Sequence, residues 1–135
     1  MAVTGAHCQP PVEIRQLMKT SHIHLAVHLD ENNVPESIDW EAEGSSKKSR
    51  TKAVLLSVWD ERELNTLRVD LWTKDMTVEE MKAFFHQNIL TLADTFERAT
   101  SEGKMAAQMR DFGAYFAEHM LPELKQEASN KGKQD

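Results

Sequence analysis

Cysteine is all but missing: Cys8 is the single one in 135 residues. That excludes an intrachain disulfide framework and every multi-cysteine zinc site. The five glycines (Gly5, Gly44, Gly103, Gly113 and Gly132) are isolated from one another, so no glycine-rich loop is present to cradle a phosphate. No apolar run approaches the roughly 18 residues of a membrane-spanning helix. Positive charge is also scarce. Sixteen Lys and Arg stand against 22 Asp and Glu, for a net charge of −6, which argues against non-specific binding to nucleic acid or insertion into an anionic membrane surface. The first twenty residues lack a basic stretch followed by an apolar one, and Pro10, Pro11 and Glu13 interrupt them. They do not read as a secretory signal, and with one cysteine the expected compartment is the cytoplasm.

What is present is the composition of a globular chain, 40% hydrophobic and 28% charged. The length fits one domain. Residues 1–17 show neither helical nor strand period, and Met18-Lys19-Thr20-Ser21 reads as an alternative start, so residues 1–20 are expected to be a loose arm. Beyond Lys125 no apolar residue is larger than alanine. Residues 125–135 are therefore expected to form a solvated tail, leaving 21–124 as a single α+β domain.

Ser21 to Leu29 alternates strictly, with Ile23, Leu25, Val27 and Leu29 on one face and His22, His24, Ala26 and His28 on the other. Period two is the mark of a half-buried strand. Asp30-Glu31-Asn32-Asn33 reads as a turn, and Pro35 to Glu43 as the returning strand. That pairing sets Val27 opposite Ile38, Leu25 opposite Trp40, His24 opposite Glu41 and His22 opposite Glu43. Gly44 to Arg50 is polar and reads as a loop. Lys52 to Trp59 is apolar on both faces, and Thr66 to Lys74 alternates. Pairing Trp59 with Thr66 brings Val58 to Leu67, Leu56 to Val69 and Val54 to Leu71, which makes a second hairpin.

The period then changes. Thr77-Val78-Glu79-Glu80 has the form of a capping box. Apolar residues follow at Met81, Phe84, Phe85, Ile89, Leu92, Phe96 and Ala99, predicting a helix of about 23 residues and about 35 Å. Thr100 to Gly103 breaks it. A second helix carries Met105, Met109, Phe112, Phe116 and Met120, and Pro122 stops it. The predicted fold is α+β: a four-stranded antiparallel sheet of two hairpins, followed by two long helices on one face. Leu25, Val27, Leu56, Val69, Phe85, Leu92 and Phe112 are the expected shared core.

Three features stand out as candidate sites. Leu55, Trp59 and Trp72 fall on the sheet face opposite that core, a surface suited to another chain or an identical subunit. His22, His24 and His28 share a strand face, with His22 and His24 about 7 Å apart, where Glu41 or Glu43 would complete a metal shell; the plainer reading is a polar strip of cross-strand His–Glu pairs. The Met/Phe stripe of the second helix reads as core rather than as an adaptable groove. His86 and Asp94 lie two helical turns apart, too far for a catalytic pair. The Lys47, Lys48, Arg50, Lys52 cluster lacks interleaved aromatics.

Several stretches carry a family resemblance. Leu29-Asp30-Glu31-Asn32-Asn33-Val34-Pro35-Glu36, Leu55-Leu56-Ser57-Val58-Trp59-Asp60 and Asp70-Leu71-Trp72-Thr73-Lys74-Asp75-Met76 are three of them. Phe84-Phe85-His86-Gln87 and Asp94-Thr95-Phe96-Glu97-Arg98-Ala99-Thr100 complete the set. Over about residues 18–120 the chain resembles the GldC family of gliding-motility proteins of Bacteroidetes-type bacteria. The resemblance implies a small soluble protein associated with gliding and its linked secretion machinery, with no catalytic activity or cofactor to carry onto residues here. The expectation is thus a non-enzymatic accessory protein with motility or secretion components as partners. The order ββββαα with acidic charge is also similar to cytoplasmic export chaperones of the SecB type, which makes a chaperone of unfolded clients the alternative. A metal-binding enzyme on the His22/His24 strand is the remote one.

Overall fold

The strands and helices follow in the order the sequence dictates. A computed structural model describes residues 18–45 and 48–122. These fall into two compact units that part between Lys74 and Asp75. Of the arm expected over residues 1–20, residues 18–20 take neither strand nor helix and residues 1–17 lie outside the described residues, as does the tail over 125–135.

The first unit is all strand: β1 (Ile23–Leu29), β2 (Pro35–Ala42), β3 (Ser49–Thr51), β4 (Ala53–Asp60) and β5 (Asn65–Trp72). β1 and β2 pair antiparallel in the expected register, Val27 opposite Ile38, Leu25 opposite Trp40 and His24 opposite Glu41. β4 and β5 likewise set Trp59 opposite Thr66, Leu56 opposite Val69 and Val54 opposite Leu71. The four-stranded sheet, however, is not formed. The strands make a three-stranded sheet in the order β1-β2-β3 and a two-stranded sheet of β4 and β5. The cause is one bend at Lys52. Ser49–Thr51, read as the end of a polar loop, pairs with Trp40–Ile38 of β2; past the bend the same chain leaves β2 and pairs only with β5. Bends of this kind are how a strand passes from one sheet to another.

Two backbone bonds close the corner. Thr73 N donates to Lys52 O at 2.8 Å, and Lys74 N donates to Pro35 O at 3.1 Å. Both turns are made by side chains with the right reach. Asp30 Oδ1 accepts from the amides of Asn32 and Val34, while Asn33 takes φ +60°, a conformation Asn tolerates. In the β4–β5 turn, Asp60 Oδ1 accepts from the amides of Arg62 and Glu63, and Leu64 is forced to φ +51°.

The second unit is a helical hairpin, α1 (Val78–Thr100) and α2 (Gly103–Met120). The capping box forms as expected. Glu80 N donates to Thr77 Oγ1, and Thr77 N donates to the Glu80 carboxylate, satisfying two amides that the helix start leaves open. Ser101, in the left-handed region at φ +62°, ends α1 with its N–H on Glu97 O, and α2 starts two residues later. The helices meet on small residues, Ala93 of α1 with Ala106 and Gly113 of α2, all buried. A Cβ at Gly113 would stand 2.7 Å from Leu90 Cδ2, so glycine sets how closely the helices approach. Arg110 bridges them by charge, reaching Asp94 Oδ1 at 2.9 Å and also Glu97 Oε2.

The predicted core is corrected by burial. Of Leu25, Val27, Leu56, Val69, Phe85, Leu92 and Phe112, Val27 is half-buried and the other six are exposed. Among the described residues the buried hydrophobic side chains are Ile38, Ala93 and Ala106. The Met/Phe stripe is corrected too: Met109 and Phe116 are half-buried, but Met105, Phe112 and Met120 are exposed. The physical reason is shared. Parity and helical spacing report which side chains share a face, not what covers that face.

Candidate functional site

Strand parity places Ala53, Leu55, Ser57 and Trp59 of β4 beside Trp72, Asp70, Arg68 and Thr66 of β5 on one face of the second hairpin. Trp59 is 66% exposed, Trp72 55% and Leu55 37%. The opposite face is aliphatic, and Leu56, Val58, Leu67 and Val69 are exposed there as well. The three residues predicted as a partner surface are therefore brought together, on an open face. The charged pair at their centre is what the sequence reading passed over. Arg68 Nε lies 3.5 Å from Asp70 Oδ2, both largely exposed. Aromatics with arginine are the composition of interface centres. A groove of about 280 Å³ lies against Trp72, lined by Asn33, Val34, Pro35, Asp70 and Leu71.

The histidine strip forms as cross-strand acid pairs. His22 Nδ1 is 2.9 Å from Glu43 Oε1 and His28 Nε2 is 3.0 Å from Asp39 Oδ2. The His22 and His24 rings stack at 6.0 Å. Lys48 and Arg50 of the basic cluster reach the same row, at Glu41 and Asp39; Lys47 lies outside the described residues. Among the described residues no group of three or more His, Cys, Asp or Glu converges as a metal shell.

Two stretches that carry the family resemblance meet in an ion pair. Lys74 Nζ lies 2.5 Å from Asp30 Oδ2 and 3.4 Å from Glu36 Oε1. The hydrogen bond from Lys74, then those from the Val34 and Asn32 amides, hold the Asp30 carboxyl below its usual value. Asp30 in turn raises the Lys74 ammonium. Asp30 thus braces its own turn with one oxygen and the end of β5 with the other. These residues position the hairpins, which accounts for them without a reacting group.

On the helical hairpin, Ile89 and Leu92 of α1 with Met105, Gln108, Met109 and Phe112 of α2 line an open groove of about 390 Å³. Its wall is almost wholly apolar. The Met/Phe stripe expected as core thus divides, with Met109 and Phe116 half-buried and Met105 and Phe112 open on the groove side. His86 stacks on Phe116 at 6.3 Å, and Asp94 is engaged by Arg110, so the two share no site.

No described helix is long and apolar enough to cross a membrane. No curated protein and no solved structure gives a significant match. Residues 35–121 match the family described as Gliding motility-associated protein GldC-like. That span runs from the first residue of β2 to the end of α2 and takes in Trp59, Trp72, Lys74 and the helical groove. The chain belongs to the gliding motility-associated GldC-like family.

Proposed function

We propose that this protein is a non-enzymatic accessory subunit of the gliding-motility apparatus and its linked secretion machinery, acting in the cytoplasm by association with other proteins. The observation that carries the reading is the amount of apolar surface left open on both units: the tryptophan face of the β4–β5 hairpin and the Ile89–Phe112 groove of the helices. Contiguous apolar patches of this kind mark interaction sites, and family membership supplies the process. The test is affinity purification of the full chain from a gliding bacterium that encodes it, alongside a deletion strain. Recovery of motility or secretion components, with impaired spreading of the deletion strain, is the expected result. Intact gliding with no such component recovered contradicts the reading.

The export-chaperone reading is favoured by one observation, the apolar helical groove with two methionines in its wall, since flexible Met-lined grooves accept varied sequences. Suppression of aggregation of an unfolded client at stoichiometric protein supports it; absence of suppression removes it.

A further inference from the structure

We infer that the tryptophan face is a two-fold contact with a second copy of this chain. The inference rests on the reading that the protein works by association, and it names the occupant of one face. Consider the eight positions of that face. β5 presents Thr66, Arg68, Asp70 and Trp72, and opposite them β4 presents Trp59, Ser57, Leu55 and Ala53. A two-fold axis lying in the contact plane, crossing the strands between Arg68 and Asp70, lays β5 antiparallel on the second copy's β5 and β4 on its β4. Trp72 then falls over Thr66 of the second copy, Trp59 over Ala53, Leu55 over Ser57 and Arg68 over Asp70. Each relation also holds in reverse, as an isologous contact requires.

Three of those four relations set a large side chain on a small one, and the fourth sets opposite charges together. Stacked sheets lie about 10 Å apart, a gap that one large and one small residue fill and two large ones overfill. A face shaped for an unrelated protein has no reason to complement itself position by position. The aliphatic face of the same hairpin carries no orienting charge at its centre.

The need for a cover is also physical. A two-stranded hairpin alone is marginal in water, and β4–β5 is exposed on both faces. A further layer on the tryptophan face supplies what the hairpin lacks. A second copy is always available to provide it. The two tryptophans, Leu55 and the Arg68 stem supply roughly 500 Å² per copy. That is the larger part of the about 800 Å² per partner of a stable interface.

The deciding experiment uses two charge variants of the full chain, Arg68→Asp and Asp70→Arg, with sedimentation equilibrium as the readout and far-ultraviolet circular dichroism to confirm folding. The wild type is expected to be at least a dimer at micromolar concentration. Each variant alone places like charges across the axis and should self-associate about tenfold more weakly. Mixed one to one, the two variants restore association, because the carboxylate introduced by Arg68→Asp in one copy then faces the guanidinium introduced by Asp70→Arg in the other. A monomeric wild type, association untouched by either variant, or a mixture no tighter than its components overturns the inference. None of these outcomes bears on whether the protein serves gliding, which the deletion strain decides separately.

Discussion

Leu64 is the residue whose backbone fits its position least. It is exposed and held at φ +51°, where a side chain with a Cβ is disfavoured and glycine is not. Its N–H is committed to Asp60 O at 3.0 Å, so the turn, not the side chain, sets the geometry. Leu64→Gly should stabilise the chain by about 0.5–1 kcal/mol, the left-handed strain relieved less the backbone freedom that glycine loses on folding, read as a higher thermal midpoint. A lower midpoint would show that the exposed leucine packs in the assembled protein.

Asp30 makes a prediction of the opposite kind. Its carboxyl titrates below its usual value of about 3.8 when folded, so its stabilising contribution is complete above that value and is lost as pH falls through the depressed one. Lys74 titrates above about 10.5 when folded, so its share is complete below that value and fades as pH rises through the raised one. Asp30→Asn keeps an oxygen for the Asn32 and Val34 amides but drops the charge. The stability gap between wild type and Asp30→Asn should stay level between those two limits and close on acidification. A gap that persists in acid would assign the effect to the turn rather than to the ion pair.

At the scale of elements, strand and helix periods were legible because alternation and capping are local. Ile23–Leu29, Pro35–Ala42 and Val78–Thr100 each carry their own signal, and hairpin registers follow once the turn residues are seen. The bend at Lys52 was not legible. Ser49-Arg50-Thr51 is too short and too polar to announce a strand, and which neighbour a strand pairs with depends on residues distant in sequence. The helical seam was also hidden. Apolar spacing pointed to Met105 and Phe112, whereas close packing selected Ala93, Ala106 and Gly113. Of the candidate site, the parity of Leu55, Trp59 and Trp72 was readable from alternation, but their exposure was not, because periodicity reports sides and not what covers them.

The seam makes a direct test. Gly113→Val drives a branched side chain into Leu90, whose Cδ2 would already be 2.7 Å from a Cβ. It should destabilise the chain by about 1–3 kcal/mol, as overpacking does. Chemical denaturation measures it; a neutral result would mean the helices separate without cost.

For the whole molecule, the decisive quantity is the apolar surface that the described residues leave open within each unit. Among the described residues Ile38 is the one large hydrophobic side chain that is fully buried. Exposed residues include Leu56, Val58, Trp59, Leu67, Val69, Trp72, Leu92 and Phe112. Burial of such side chains is worth about 1.5–3 kcal/mol each, and net stabilities of folded domains are about 5–15 kcal/mol. If a second copy covers the tryptophan face, the burial it adds is comparable to a whole domain's net stability, and folding and association should then be one equilibrium, as in obligate homodimers.

That coupling has a direct signature in the thermal midpoint of the full-length protein over a hundredfold range of its own concentration. If folding requires a second copy, the midpoint rises steadily with concentration, and at equal total concentration it is lower for Arg68→Asp alone than for its equimolar mixture with Asp70→Arg. A midpoint independent of concentration, with a reversible single transition, would show a self-sufficient monomer and contradict the account.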